Sequence, residues 1–267
     1  MHDSKELEGK VVLVVGGTTG LGLSAAKAIV RAGARIVMVG RNPETASAAQ
    51  RELGANAVPF IGDAADPTTA DQAAALAVET FGRLDGLYHV AGGSGRSLGD
   101  GPLHEITDEG WTRTLQWNLT SVFQSNRAVL RHLVERNQGG TLLNMTSVLG
   151  YSPSPAHFST HAYATAKAAI IGMTRTSAAH YAPHNIRINA VAPALVATPM
   201  SERAQGNESI MNFIRTKQPL DHGRIGRPDD LDGAVVFFMS DASRFVTGQV
   251  LAIDGGWSVS EGRTEKT

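Results

Sequence analysis

Cysteine is absent from this 267-residue sequence, which excludes disulfide staples, thiolate metal sites and a cysteine nucleophile. Stability must come from packing. A charge excess is also missing: 24 Lys plus Arg stand against 25 Asp plus Glu, so overall charge does not hold a polyanion, and no nucleic-acid partner is expected, although local basic sites stay open. Long apolar runs are lacking. Residues 1–10 are polar and charged, and the run 11–15 is far too short for a signal core or a membrane span, so a cytoplasmic protein with no membrane partner is expected. The nine histidines are scattered without HExxH or another tight ligand pattern, and no metal is expected. Internal repeats at solenoid periods are missing, and the 29 glycines are dispersed rather than periodic, which sets aside low-complexity architectures.

What is present is an alternation. Short Val/Ile/Leu-rich runs at 10–15, 35–40, 57–61, 86–90, 141–145, 186–191 and 250–253 carry no polar side, as strands buried on both faces of a parallel sheet do. Helix-like stretches lie between them at about 20–32, 43–53, 67–82, 105–136, 161–181 and 228–240. The expected class is α/β, a doubly wound Rossmann-type fold with a seven-stranded, mostly parallel sheet and helices on both faces. Neither composition nor charge shifts along the chain and no linker is visible, so residues 1–267 read as a single dinucleotide-binding domain with a built-in substrate pocket.

Directly after the first strand comes Gly16-Gly17-Thr18-Thr19-Gly20-Leu21-Gly22, which opens onto a helix. Glycines in that turn let the backbone approach a pyrophosphate, and the free N–H groups of the helix start attract negative charge. A Gly-rich turn without a ligand is the alternative. Its place in the first βα turn favours the dinucleotide. In an NAD site an acidic side chain near the end of the second strand commonly receives the ribose hydroxyls, but here the strand ends in Gly40-Arg41-Asn42. A guanidinium can grip a 2′-phosphate through two charge-assisted hydrogen bonds, so NADP(H) is expected, with NAD(H) the runner-up and a solvated loop arginine the bland alternative. Asp63, after the third strand, either meets the adenine amino group, with Ala64 against the ring, or caps a turn; sequence favours the cap.

Of four tyrosines only Tyr163 has a lysine four positions on, Lys167, which places phenol and ammonium on one face of a helix. A phenol of pKa about 10 is a sluggish proton donor near neutrality. One positive charge at about 4 Å and an effective dielectric near 20 favours phenolate by about 4 kcal/mol, at most roughly three pK units. The small residues around the pair, among them Ala162, Ala166 and Gly172, describe a helix packed closely on something, so its polar members need a reason to be there. Ser147, just past the fifth strand, sits at the same sheet edge, where its hydroxyl either donates to a substrate oxygen or only starts a turn. Its surroundings are not GxSxG, so nothing makes it a hydrolase nucleophile.

Taken together these motifs resemble the short-chain dehydrogenase/reductase family, in particular its compact branch that includes the 3-oxoacyl reductases, nearly end to end. Residues 15–22 lie over the family's TGxxxGxG, with Val15 in place of threonine. The resemblance implies a catalytic tetrad of Asn118, Ser147, Tyr163 and Lys167: Tyr163 as acid or base, Ser147 holding the substrate oxygen, Lys167 lowering the tyrosine pKa while contacting the nicotinamide ribose, and Asn118 supporting a water in the proton relay. It likewise implies cofactor contacts from Gly16, Thr18, Thr19, Gly20, Leu21, Gly22, Ala91 and Gly92, and, in the segment 186–200, from Pro193, Val196 and Thr198. A homotetramer is a further implication. Departures exist: His89-Val90-Ala91-Gly92 stands where the family often has NNAG, Ala194 replaces a glycine after Pro193, and the loop 149–161, with Pro153 and Pro155, is longer than usual.

The leading expectation is hydride transfer between NADP(H) and a ketone or secondary alcohol, with a mobile segment at about 197–220 folding over a small-molecule substrate. Leu149, Phe158, Met200, Met211 and Phe213 are candidates to line its pocket, or are ordinary core. Two other classes stay open: a nucleotide-binding sensor or partner protein without turnover, and an assembly protein built on the long helices. The filled tetrad counts against the sensor.

Overall fold

The computed structural model describes residues 5–262. All seven strands form: β1 Val11–Val15, β2 Arg35–Gly40, β3 Ala57–Ile61, β4 Gly86–His89, β5 Gly140–Met145, β6 Ile186–Pro193 and β7 Val250–Ile253. They make one sheet in the order β3-β2-β1-β4-β5-β6-β7, parallel at every pairing. The helices are α1 Gly20–Arg31, α2 Pro43–Leu53, α3 Thr69–Phe81, α4 Asp108–Leu115, α5 Ser121–Glu135, α6 His161–Tyr181, α7 Glu202–Gln205, α8 Glu208–Lys217 and α9 Asp232–Met239.

β1 shows why the apolar runs have no polar side. Val12 and Val14 enter a core with Ala25, Ala26 and Ile29 of α1 and Val235, Phe238 and Met239 of α9. Val11, Leu13 and Val15 enter a second core on the opposite face, with Ala73 and Ala77 of α3 and Val129 and Leu133 of α5. A strand has period two, so burying both faces demands an apolar residue at every position. Each such side chain contributes roughly 1.5–3 kcal/mol of burial.

The strand order positions the site. From β1 the chain adds β2 and β3 on one side, then β4 to β7 on the other. The winding reverses between β1 and β4, and their carboxyl ends therefore border a crevice that no crossover covers.

Three helical stretches differ from the sequence expectation. The run 105–136 begins at Asp108, where Thr107 accepts the Gly110 N–H at 3.0 Å, and a π turn at Gln116–Thr120 joins α4 to α5. The run 228–240 starts as a 3₁₀ turn, Pro228–Leu231, before α9. The segment 197–220 carries a 3₁₀ turn and two helices, α7 and α8, that apolar periodicity had not suggested. Ile210 and Ile214 of α8 pack with Ala204, Val148 and Trp257 in a third core cluster. No helix among the described residues is long and apolar enough to cross a membrane.

Candidate active site

The glycine turn is built by close backbone approaches. Gly16 and Gly17 both donate to the Val39 carbonyl, at 2.9 and 3.2 Å, which draws the turn under β2. A Cβ at Gly16, whose φ is +91°, would stand 2.7 Å from the Ala91 nitrogen, and one at Gly22 would stand 1.9 Å from the Gly16 carbonyl oxygen. Only glycine fits at either position. Thr19, the N-cap of α1, makes no side-chain cap bond, so the first-turn N–H groups of α1 face the crevice without a side-chain acceptor. A dinucleotide pyrophosphate fits such a cradle.

The cleft around the cradle is lined by Arg41, Asp63 and Ala64, by Thr198, Pro199 and Met200, and by Gly16, Thr18, Thr19, Gly20, Leu21, Gly22, Ala91 and Gly92 of the turn and the chain just after β4. A side chain at Gly40 is sterically barred, since a Cβ there would lie 2.4 Å from the Thr18 hydroxyl. Asp63 does cap its turn, accepting the Ala65 N–H at 2.9 Å. Its other oxygen stands 3.8 Å from the Arg41 guanidinium, and both side chains are half-exposed or more. A pair that open contributes little and leaves the guanidinium free to turn to another anion. Arg41 also lies 5.5 Å from the centre of the Trp117 ring, a cation–π contact that sequence reading missed.

Leu21, Val90, Gly92, Thr198 and Met200 border both this cleft and a second pocket, which is lined by Asn118, Ser147, Tyr163, Lys167, Pro193 and Val196. The two hollows are one continuous crevice. Of the apolar candidates, Leu149, Phe158 and Met200 line it, whereas Met211 and Phe213 do not; Phe213 instead stacks edge-on against Trp257 with centroids 5.7 Å apart.

Ser147 follows β5 and opens a 3₁₀ turn, Val148–Gly150, by accepting the Leu149 N–H at 3.2 Å. That turn presses on α6: a Cβ at Gly150 would lie 2.9 Å from the Ala168 nitrogen, and the Thr146 hydroxyl donates to the Lys167 carbonyl at 2.6 Å. The result brings Ser147 close enough to Tyr163 for its hydroxyl to act on the phenol. Burial pushes the Tyr163 phenol up to about 12, and the Ser147 hydroxyl works against it. Lys167, only 3 % exposed, donates to the Met145 carbonyl at 3.0 Å, and its nitrogen stands 5.4 Å from the Tyr163 ring centre. Burial brings that ammonium down to about 8. On the phenol, desolvation thus outweighs the attraction of the ammonium that the spacing alone had suggested.

Asn118 sits in the π turn, fully buried, donating to the carbonyls of Gly93 and Thr114 at 2.9 and 3.0 Å and accepting the Gly93 N–H at 3.1 Å. Its side chain is saturated by backbone and holds the loop after β4 in place. His89, where the family often has asparagine, is wholly buried; Nδ1 meets the Ser125 hydroxyl at 2.6 Å and Nε2 has no hydrogen-bond partner among the described residues. Burial, reinforced by the Lys167 charge, lowers this imidazole to about 3, so it is neutral. Val90 replaces the second amide with packing, its side chain lying 2.9 Å from where a Gly22 Cβ would be.

Sequence reading also missed Asp100. The first turn of α6 has no cap from its own N-cap residue, Thr160, and Asp100 supplies one from a distant loop, accepting the Ala162 and Tyr163 N–H groups at 3.0 and 2.9 Å.

Comparison with known proteins accords with this geometry. Residues 15–258 match the profile of the family described as enoyl-(acyl carrier protein) reductase. The chain is 33% identical over 254 residues to the 2,5-dichloro-2,5-cyclohexadiene-1,4-diol dehydrogenase of Sphingobium indicum, covering 95% of this chain and 98% of that one. It is 32% identical over 253 residues to the 3-oxoacyl-(acyl-carrier-protein) reductase of Thermotoga maritima, covering 94% and 98%. Among solved structures, a short-chain type dehydrogenase/reductase from Mycobacterium ulcerans superposes with a TM-score of 0.87 at 29% identity, over 96% of this chain and 92% of that one.

Proposed function

This chain belongs to the short-chain dehydrogenase/reductase family and is an oxidoreductase of alcohol or carbonyl groups using a nicotinamide cofactor; from that premise we propose that it transfers a hydride between NADP(H) and a ketone or secondary alcohol in the crevice between β1 and β4. The observation that carries the proposal is convergence: Ser147, Tyr163 and Lys167 line a pocket continuous with the glycine cradle.

When bound, the nicotinamide supplies a hydride to a carbonyl carbon, or takes one from a carbinol carbon. The chain's own groups do the rest. Ser147 orients the substrate oxygen with its hydroxyl, and Tyr163 gives that oxygen a proton as it gains negative charge. A phenol held near 12 is fully protonated at neutral pH, which suits the acid of a reduction. Lys167, still charged below about pH 8, favours the phenolate left behind and has donors to spare for a ribose hydroxyl, since it makes one hydrogen bond within the chain. Asn118 fixes Gly93 and with it the pocket's edge.

Support for the phosphorylated cofactor comes from Arg41, which lines the cleft next to Gly40, a position that carries no carboxylate of its own. The weakly paired Asp63 leaves the guanidinium able to swing toward a 2′-phosphate. The segment 197–220, with α7 and α8, serves as the cover of the substrate half.

The test is a spectrophotometric one: NADPH and NADH are each mixed with the protein and a panel of ketones and diketones, and nucleotide absorbance is followed for wild type and Tyr163→Phe. Turnover is expected to prefer NADPH and to fall by about a hundredfold or more in the variant. Bound nucleotide without turnover across the panel would favour a sensor.

A further inference from the structure

Two arginines from distant elements line the substrate half of the crevice, Arg96 and Arg203. Arg96 sits on a 3₁₀ turn, Arg96–Leu98, bracketed by Gly95 at φ +72° and Gly99 at φ +93°. Arg203 sits on α7, in the covering segment.

They differ from the arginines that the fold ties down. Arg83 and Arg224 are held by carboxylates, and Arg187 is satisfied by backbone carbonyls and a hydroxyl. Neither Arg96 nor Arg203 has a carboxylate within salt-bridge distance among the described residues. Arg96 makes one long hydrogen bond, 3.4 Å to the His157 carbonyl. The carboxylate whose charge acts on Arg96, Asp100, is already committed to the N–H groups of α6. Arg96 is half-buried, and what it feels from Arg203 is repulsion. The same pocket carries the apolar side chains of Leu149, Phe158 and Trp257.

We propose that Arg96 and Arg203 form an anion clamp, so that the carbonyl substrate has an apolar body and, at the end away from its reacting carbon, a carboxylate or phosphate-like group. Two like charges lining one cavity, neither in a salt bridge among the described residues, are stabilised by an oxyanion placed between them, and a planar guanidinium offers it paired donors. The bound anion would also tie α7 to the 96–98 turn and draw the covering segment shut. This inference rests on the proposed reductase reading, since it specifies the substrate of the same site.

Calorimetry with phenylalkanoates of increasing chain length, with the matching carboxamides and phosphonates, tests the clamp without any turnover. Acids are expected to bind about tenfold or more tightly than their amides, and the acid-to-amide ratio to collapse in Arg96→Gln and Arg203→Gln. The phosphonate arm separates a carboxylate site from a phosphate site. Absence of acid preference along the series, or a preference that survives in both variants, overturns the proposal. Arg203 is exposed on a short helix, so that variant is read even if Arg96→Gln fails to fold. The companion assay uses 4-oxo-4-phenylbutanoate and its amide with NADPH. Acid-selective binding without reduction sinks the reductase reading and leaves the clamp; equal reduction of both ketones, with no acid preference in binding, does the reverse.

Discussion

The carboxylate of Asp100 accepts the backbone N–H of Tyr163 at 2.9 Å, across 63 positions of sequence. It takes the Ala162 N–H as well, and so it fixes the start of the helix that bears both the phenol and the ammonium. Replacing it with alanine leaves two donors, one of them buried, without an acceptor. We expect Asp100→Ala to lose about 1–2 kcal/mol in urea denaturation and Asp100→Asn to lose less, with kcat falling more than KM rises in both. Wild-type stability in the alanine variant would show that the contact contributes nothing.

Lys167 sets a pH dependence above neutrality. Its folded pKa is about 8 and its ordinary value 10.5. Between those values the unfolded chain holds the proton and the folded chain does not, so stability rises with pH across that window. At about 1.4 kcal/mol per unit the full rise is about 3 kcal/mol. The difference in unfolding free energy, wild type minus Lys167→Met, should therefore grow from pH 8 to pH 10. A flat difference would mean that the ammonium is solvated.

His89 acts on the acid side. Neutral when folded down to about pH 3, it gains a proton near 6.5 once unfolded, and stability falls as pH drops through that interval. Between pH 7 and pH 5 the loss from this one residue is about 2 kcal/mol. His89→Asn, which restores the amide common in the family, should flatten the acid limb of a stability profile by that amount. An unchanged limb would place the acid sensitivity elsewhere.

Arg41→Ala should lower the preference for NADPH over NADH by about tenfold or more, read from dissociation constants in fluorescence titration. An unaltered ratio would return Arg41 to the role of a solvated loop residue stacked on Trp117.

Strands were legible because burial on both faces leaves a continuous apolar signature; β1 begins one residue later than expected and β6 runs on to Pro193. The glycine turn and the Tyr163 and Lys167 pair were legible because their spacing is local. The π turn at Asn118 was not, since one extra residue in a helical turn barely disturbs a 3.6-residue pattern. Helix α8 did leave a signal, an Asn207 cap followed by Ile210 and Ile214, but most of what its apolar face meets, Val148 and Trp257, comes from far along the chain. Asp100 was invisible for the same reason: a carboxylate in a Gly-Asp-Gly-Pro loop reads as a turn residue until the fold sets it under α6. Arg96 and Arg203 are separated by more than a hundred positions and are brought to one cavity only by the sheet edge.

Trp257 follows all seven strands in the chain, donates to the Ser152 carbonyl at 3.1 Å, and forms part of the substrate pocket's wall. One ring thus fastens the loop after β5 to the chain beyond β7, so a substitution at Trp257 reaches the pocket wall and a loop 105 positions away together.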